Sequence, residues 1–347
     1  MMRGKHWMSL CAILIGLGFL GAPPETLAAE KFRFTSGWIF YGRDLAWFTA
    51  LEKGYFREEG LDVQLIRGSG GGDAAKALAT DALEMVALDT ATLMLARSKG
   101  SPFKTVGMWF DLAPFSIVTI EGSGINALKD LEGRTIGTPS ADSSWAQFPA
   151  VAELNGLDLK KIRQIEVAPA VRDAGLLAGS YDASTNYIAS FPIIYRMAEK
   201  QGKKLKVFPF IQHGLDIYAQ GFVVNESRLK NNPESVRRFL RAALRGGAYA
   251  MENPEEGMDA LLKHVPTADR QTSREAWDLM VDLWLTPNAE KNGLGHMTEE
   301  KWTQTRDVLT KTFKLPVVLP VKELYTNEYL EKIVPKVRGP RTFPKVL

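Results

Sequence analysis

Residues 37–44 (GWIFYGRD) concentrate aromatic and cationic side chains directly after a predicted strand. Trp38 and Tyr41 offer flat rings on which a heterocycle can stack, a contact that contributes about 1–3 kcal/mol per ring. Arg43 carries the fork of donors that binds an anionic group in a bidentate way, although pairing with the neighbouring Asp44 would explain it as well. The pattern predicts capture of a small planar molecule, with packing in the core or at a hinge as the alternative.

Two further groups of candidates follow later predicted strands, which is where ligands bind in open α/β sheets. The loop 68–73 (GSGGGD) presents successive backbone N–H groups, and Ser69 and Gly70 could border an anion or a carbonyl there. A simple tight turn is the alternative, and the loop lacks the lysine and the spacing of a nucleotide-binding P-loop. Asp89 and Thr90 open a predicted helix, where Asp89 either caps the helix or accepts a hydrogen bond from a ligand amine.

The remaining candidates end strands or begin helices that we expect to border a cleft. They are Trp109, Ser140, Ser143, Trp145, Asn186, Tyr187 and Tyr218. Trp145 could close over a ligand, whereas Trp109 is either a cleft wall or hinge packing. His213, His264 and His296 are scattered, with no i,i+4 pairing and no cysteine partner, so we predict no metal site. No nucleophile elbow stands in a suitable context, and we predict no catalytic residue.

The elements that must position these residues alternate between strand and helix. Segments 32–36, 61–66, 84–88 and 103–109 are typical of strands, with helical spacing between them, and a similar unit covers residues 115–210. This order favours largely parallel sheets with helices on both faces. From Pro233 onward the pattern is almost entirely helical.

The order of these units predicts two lobes and a hinge. We expect residues 30–118 and 221–335 to form lobe one, residues 119–220 to form lobe two, and residues 336–347 to form a tail. Two chain crossings between the lobes make a hinge, and the cleft that they span is the natural ligand site.

The N-terminus predicts export. Arg3 and Lys5 precede an apolar run at residues 8–22 and small residues near 28, as in a removable signal peptide spanning residues 1–29. The run is shorter than the roughly 20 residues that cross a bilayer. Cys11, the only cysteine, lies within it, so the mature chain has no disulfide. The formal charge of +3 without a basic stripe argues against nucleic acid. We expect a monomer outside the cytoplasm, in the periplasm.

Several stretches resemble one family of transport proteins. They are residues 38–56 followed by REEGLDV, LKDLEGRTIGTP at 128–139, LLAGSYDA at 176–183, GFVVNESRLKNNPESVRRFLRAA at 221–243 and YTNEYL at 325–330. In this order they resemble the bacterial substrate-binding proteins of ABC importers for thiamine-precursor pyrimidines, sulfonates, taurine and nitrate. The resemblance runs from residue 32 to residue 330 and is strongest to the pyrimidine branch.

This resemblance implies a type II periplasmic-binding-protein fold with two crossover strands and a helical C-terminal part packed on lobe one. It also implies an ABC permease as partner and a small-molecule ligand between the lobes. The aromatic loop favours a heteroaromatic ligand of the thiamine-precursor kind over nitrate. The alternative ligand is a sulfonate or an aromatic carboxylate, held by Arg43 and the amides of residues 68–72.

The same branch includes the yeast enzyme that makes the thiamine pyrimidine, and here the chain departs from the pattern. That enzyme resembles residues 85–100, where it carries a lysine that holds pyridoxal phosphate and a histidine that is consumed. The matching positions are Leu88 and Thr92, which can neither form a Schiff base nor donate an imidazole. The cysteine cluster of the enzyme is also missing. The resemblance therefore implies a binding protein without a cofactor rather than a synthase.

Overall fold

The computed structural model describes residues 29–336. The predicted signal peptide (1–29) and tail (336–347) fall outside the described residues, apart from positions 29 and 336. Within the described range, no helix is both long enough and apolar enough to cross a membrane.

The strands alternate with helices through the first two thirds of the chain. The strands are β1 (Glu30–Thr35), β2 (Leu61–Leu65), β3 (Met85–Asp89), β4 (Phe103–Phe110), β5 (Phe115–Ile120), β6 (Thr135–Thr138), β7 (Arg163–Glu166), β8 (Ala183–Tyr187), β9 (Leu205–Pro209) and β10 (Gln220–Asn225). The helices between them are α1 (Leu45–Glu52), α2 (Tyr55–Glu58), α3 (Gly71–Ala79), α4 (Thr90–Ser98), α5 (Ser143–Leu154), α6 (Arg172–Leu177) and α7 (Phe191–Glu199). The C-terminal helices are α8 (Glu226–Asn231), α9 (Pro233–Glu252), α10 (Pro254–His264), α11 (Arg270–Trp284), α12 (Pro287–Asn292), α13 (Glu299–Phe313) and α14 (Val321–Leu324).

The strands form two sheets of similar design. The first has the order β2-β1-β3-β10-β4, in which β1 runs parallel to β2 and β3 and β10 runs antiparallel to both neighbours. The second has the order β7-β6-β8-β5-β9, with β6 parallel to its neighbours and β5 antiparallel to β8 and β9. We call each sheet with the helices packed on it a lobe.

Two chain segments join the lobes. Residues 111–114 lead from β4 into β5, and residues 210–219 lead from β9 back to β10. The segments run side by side, since the backbone N–H of Ala219 donates to the carbonyl of Phe110 over 3.1 Å. Closely paired crossings of this kind are what a hinge between lobes requires.

The C-terminal helices cover the first sheet. Helix α9 lies against α1 so closely that a Cβ on Gly246 would stand 2.4 Å from the carbonyl oxygen of Ala46, so only glycine fits there. On the same helix Phe239 stacks on Phe32 of β1, with ring centroids 4.6 Å apart. Burial of these large rings is the main stabilising contribution in this layer.

Candidate ligand site between the lobes

A small pocket, with a cavity volume of about 30 Å³, lies between the two sheets. It is lined by Ser36, Gly37, Trp38, Tyr41 and Arg43 of the first lobe, by Asp142, Ser143, Ser144, Arg172 and Tyr187 of the second lobe, and by Gln220 of the returning strand. The first group follows the end of β1, the serines follow β6, and Tyr187 ends β8. The pocket thus sits at the carboxyl ends of parallel strands, where open α/β sheets place their ligands.

The loop after β1 is fixed through its backbone. The amide of Gly37 donates to Thr35 Oγ1 over 3.1 Å, and Gly37 itself adopts a φ of +84° that favours glycine. Gly68 approaches so closely that a Cβ on it would lie 2.5 Å from the carbonyl carbon of Gly37, and its amide donates to the carbonyl of Trp38 over 3.0 Å. The half-buried Trp38 ring therefore stands on a backbone held by two neighbouring segments.

Arg43 is enclosed by aromatic rings. Its guanidinium carbon lies 5.5, 5.3 and 5.0 Å from the ring centroids of Tyr41, Trp109 and Tyr187. Such contacts stabilise a cation in a desolvated site. The Nη2 atom donates to the carbonyl of Ser36 over 3.0 Å, and the Nε atom lies 3.7 Å from Asp44 Oδ2. Arg43 is thereby positioned as a buried positive charge in the pocket wall.

The two phenols and Gln220 connect the lobes. Ser190 Oγ donates to the Tyr41 hydroxyl over 3.2 Å, and the Tyr187 hydroxyl donates to Gln220 Oε1 over 3.3 Å. Burial raises the pKa of Tyr41 and raises that of Tyr187 well above its ordinary value. Both phenols are therefore neutral at physiological pH. The Tyr187 proton is already donated to Gln220, whereas Tyr41, which accepts from Ser190, keeps its proton for a ligand.

Lobe two contributes the beginnings of two helices. Asp142 caps α5, because its Oδ1 accepts from the amide of Trp145 over 2.9 Å, and burial raises the pKa of Asp142. Arg172 begins α6 and donates from Nε to Asp173 Oδ1 over 2.8 Å. Its guanidinium carbon lies 5.8 Å from the ring centroid of Trp38, so this contact crosses between the lobes.

The structure brings together five of the residues that the sequence singled out. Trp38, Tyr41, Arg43, Ser143 and Tyr187 all line the pocket. Sequence reasoning did not select Ser36, Gly37, Asp142, Arg172 or Gln220. Asp142 and Ser144 flank the chosen Ser143 at a helix start that the sequence marks clearly. Arg172 gave no such signal, because an arginine at the start of a short polar helix is typical of a solvated surface.

The glycine-rich loop differs from the expectation of an anion nest. Gly70 packs against the second lobe, where a Cβ would lie 2.2 Å from the carbonyl oxygen of Ala141, and the amide of Gly72 donates to that same carbonyl over 3.3 Å. Ser69 is exposed and donates to Asp73 over 2.6 Å. The loop contacts the opposite lobe and does not line the pocket, and the amides of Gly68 and Gly72 donate to protein carbonyls.

Asp89 and Thr90 also lie outside the pocket lining. Asp89 caps α4 by accepting from the amide of Thr92 over 2.8 Å, and its other oxygen accepts from Ser143 Oγ over 2.7 Å. Thr90 Oγ1 donates to the carbonyl of Tyr218 over 2.6 Å. The Asp89 carboxylate and the Thr90 hydroxyl thus have their hydrogen-bond partners within the protein. Because Ser143 belongs to the second lobe, Asp89 connects the lobes and does not face the pocket.

The other selected residues serve packing or lie at the surface. Trp109 is fully buried and packs on Trp47 with ring centroids 4.9 Å apart. Tyr218 packs on Trp302 at 5.6 Å and accepts from the amide of Thr298 over 2.8 Å. Trp145 stacks on Phe148, Asn186 donates to Asp173, and Ser140 is exposed. Residue type alone therefore does not indicate whether a large ring at the end of a strand packs in the core or lines the pocket.

Comparison with known proteins places the chain among binding proteins and biosynthetic enzymes. The model of the family described as NMT1/THI5 like matches residues 45–257. The chain is 26% identical over 291 residues to the riboflavin-binding protein RibY of Chloroflexus aurantiacus, covering 82% of this chain and 81% of that protein. It is 24% identical over 259 residues to the formylaminopyrimidine-binding protein of Halalkalibacterium halodurans, covering 74% and 78%. A 4-amino-5-hydroxymethyl-2-methylpyrimidine phosphate synthase of Legionella pneumophila is 24% identical over 227 residues, covering 62% and 68%.

Solved structures match the fold over most of its length. The alkanesulfonate-binding protein SsuA of Xanthomonas axonopodis, bound to MOPS, superposes with a TM-score of 0.66 at 13% identity, covering 86% of this chain and 98% of that one. A Candida albicans gene product described as having the generic periplasmic binding protein fold gives a TM-score of 0.63 at 15% identity, covering 90% and 99%. The expected two-lobe periplasmic-binding-protein-like fold is confirmed.

Proposed function

This chain belongs to the NMT1/THI5-like family, and we propose that it is the extracytoplasmic solute-binding component of an ABC importer. Its ligand is a small heteroaromatic molecule of the thiamine-precursor pyrimidine kind. The observation that carries the proposal is the pocket between the lobes, in which Trp38, Tyr41 and Tyr187 present rings beside buried polar groups. Relatives named for binding a formylaminopyrimidine and riboflavin support a planar nitrogen-containing ligand.

The lining of the pocket suits a flat heterocycle. The cavity itself has a volume of only about 30 Å³, which is room for water but not for a ring, so the lobes must separate before a ligand can enter. The rings supply apolar surface for stacking. Ser143, Ser144 and Gln220 already donate to Asp89, Asn186 and Ala87, so the two hydroxyl oxygens can only accept hydrogen bonds from a heterocycle. A pyrimidine uses both kinds of contact, because it combines a flat face with hydrogen-bonding atoms around its edge.

We propose that binding closes the lobes. The first sheet with its helices would move as one lobe against the second sheet with its helices, about the crossing segments 111–114 and 210–219. The expected boundary at residue 118 would divide β5, which lies wholly in the second sheet. A ligand seated between Trp38 on one side and the α5 start on the other stabilises the closed form by its contacts to both lobes. The closed form is then the state that a permease in the inner membrane recognises.

An enzymatic role is the competing class, since some relatives are named as pyrimidine phosphate synthases. The residues that line the pocket in the described part of the chain include no lysine, so a Schiff base with an aldehyde cofactor has no amine there. Leu88, which the resemblance matches to the lysine of the enzyme, is 1% exposed within β3. These observations favour binding over synthesis.

Calorimetry on the purified exported chain tests the proposal. We expect 4-amino-5-hydroxymethyl-2-methylpyrimidine or a close heteroaromatic analogue to bind with one-to-one stoichiometry and to leave the solution chemically unchanged. A thermal-shift panel that includes pyrimidines, riboflavin, taurine and nitrate ranks the ligand classes. Turnover of any of these molecules, or stabilisation by taurine or nitrate alone, would overturn the proposal.

A further inference from the structure

Each lobe places one buried guanidinium group in the wall of the same pocket. Arg43 comes from the first lobe and is 3% exposed, and Arg172 comes from the second lobe and is 4% exposed. Transferring a charge from water into a protein interior is costly unless it gains partners. Two such charges in the wall of one small pocket therefore call for acceptors, either within the protein or on the ligand.

The protein satisfies these two groups only in part. Arg172 donates from Nε to Asp173, and within residues 29–336 its two terminal nitrogens have no assigned hydrogen-bond acceptor. The Nε atom of Arg43 is buried and is also without a hydrogen-bond partner in the described part of the chain, because Asp44 Oδ2 lies 3.7 Å away. Arg172 therefore retains donor capacity in the pocket wall, whereas the Nε atom of Arg43 lies toward Asp44, outside the lining.

The Tyr41 hydroxyl lies near both arginines. Burial raises the pKa of Tyr41, while the charges of Arg43 and Arg172 both act to lower it. The phenol thus marks a region that receives positive potential from both lobes. A neutral phenol there is a third donor for an acceptor group on the ligand.

One carboxyl group in the lining opposes this potential. Asp142 lies near Arg172 and is committed to the amide of Trp145 through Oδ1. Asp44 and Asp173, the acidic neighbours of the two arginines, are not part of the lining. A ligand that presents an N–H group toward Asp142 and an anionic group toward the arginines would match the charges of the lining.

We propose that the heteroaromatic ligand carries an anionic substituent, such as a carboxylate, sulfonate or phosphate group, which binds between Arg43 and Arg172. The proposal rests on the function proposed above and adds the charge of the ligand to it. Since one guanidinium comes from each lobe, the anion fastens the two lobes together. Arg172 is then the residue that distinguishes charged from neutral rings.

Matched ligand pairs test this proposal without altering the protein. The first pair is pyrimidine-5-carboxylate and pyrimidine-5-carboxamide, and the second is 4-amino-5-hydroxymethyl-2-methylpyrimidine and its phosphate ester. Calorimetry at pH 7.5 should show the anion of each pair binding at least about tenfold more tightly, because hydrogen bonds between charged partners are about twice as strong as neutral ones. A preference confined to one pair identifies whether carboxylate or phosphate is the matching group.

Variants assign the preference to Arg172. We expect R172Q to weaken binding of the anion by about 10- to 100-fold and to change binding of its neutral partner by less than about threefold. R172K keeps the positive charge but not the planar guanidinium, and its affinity for the anion should lie between those of the wild type and R172Q. The control is R163Q, which removes an exposed arginine on β7 of the same lobe and should alter neither ligand. Thermal melting of each variant checks that it is folded.

The outcomes separate this proposal from the function on which it rests. If the neutral rings bind tightly and the anions bind no more tightly, the proposal of an anionic substituent fails, while the proposed function as a receptor for a heteroaromatic ligand is supported. An equal loss for both members of a pair in R172Q would also refute it. If none of the four rings binds, both proposals fail. Should R172Q not fold, the wild-type pairs and R172K decide the question.

Discussion

At the residue scale, the pocket depends on a few side chains that the backbone holds rigidly. Trp38 is the clearest case, because Gly68 locks the peptide on either side of it while Arg172 contacts its ring from the opposite lobe. A ring already held in place loses little freedom when a ligand stacks on it. Its contribution should therefore appear almost entirely as binding energy.

We predict that W38A weakens binding of 4-amino-5-hydroxymethyl-2-methylpyrimidine by about 1–3 kcal/mol, the contribution of one stacked ring. Calorimetry measures the loss, and W38F should restore part of it. The matched control is W145A, which removes a half-buried indole that stacks on Phe148 outside the pocket lining. If the wild type and W38A bind the ligand with equal affinity, stacking on Trp38 does not contribute to binding.

Sequence reasoning at this scale selected pocket residues that lie close together in one loop. It missed pocket residues that folding brings in from distant segments of the chain. Trp38, Tyr41 and Arg43 were found because they follow one strand within a single loop. Arg172 and Gln220 were missed because only the packing of the lobes brings them to that loop. Asp89 was selected as a ligand contact, but its carboxylate is occupied by Thr92 and Ser143.

At the element scale, the alternation of strands and helices fixed most of the architecture in advance. The periodic apolar positions predicted the parallel part of each sheet, and β1 shows the reason, since Phe32 and Phe34 alternate inward. The antiparallel insertion of β10 between β3 and β4 is a tertiary pairing with no local pattern. The crossing segments that result carry a buried acid, Asp111, immediately after β4.

Asp111 makes stability depend on pH. Burial raises its pKa to about 6, although Thr286 and Asn288 donate hydrogen bonds to its carboxylate. The native state then binds this proton more tightly than the unfolded chain does. The stabilisation from this group is therefore complete below about pH 4 and is lost as the pH rises through 6, by about 3 kcal/mol in total.

We accordingly expect D111N, which remains neutral, to raise the free energy of unfolding at pH 7 and to change it little at pH 4. Urea unfolding at pH 4, 5, 6 and 7 measures the difference. The control D62N removes an exposed carboxylate on β2 and should leave the pH profile as in the wild type. A D111N profile parallel to that of the wild type would contradict the raised pKa.

At the scale of the whole molecule, the lobes are fastened outside the pocket as well as within it. Arg196 of α7 in the second lobe donates from Nη2 to Glu275 Oε1 of α11 in the first lobe over 2.6 Å. The Glu275 side chain is only 6% exposed, so water screens this pair weakly on one side. Contacts of this kind bias the balance between open and closed lobes without touching the ligand.

We predict that R196Q lowers ligand affinity by roughly threefold to tenfold through this balance, given that a partly exposed ion pair contributes about 1 kcal/mol. Calorimetry measures the affinity, and small-angle scattering should show a larger radius of gyration without ligand. The control R245Q breaks a comparable pair with Glu58 inside the first lobe and should change neither quantity. If R196Q binds as the wild type does, the pair has no part in closure.

The position of β10 also has a consequence for how the polypeptide acquires its shape. Because β10 lies between β3 and β4, the first sheet cannot be completed until residue 225 is available, whereas the second sheet is built from the continuous stretch 115–209. Long-range pairing of this kind slows folding and leaves strand edges exposed meanwhile. A chain that emerges amino end first would therefore complete its second sheet before its first, and the edges of β3 and β4 would wait unpaired for β10.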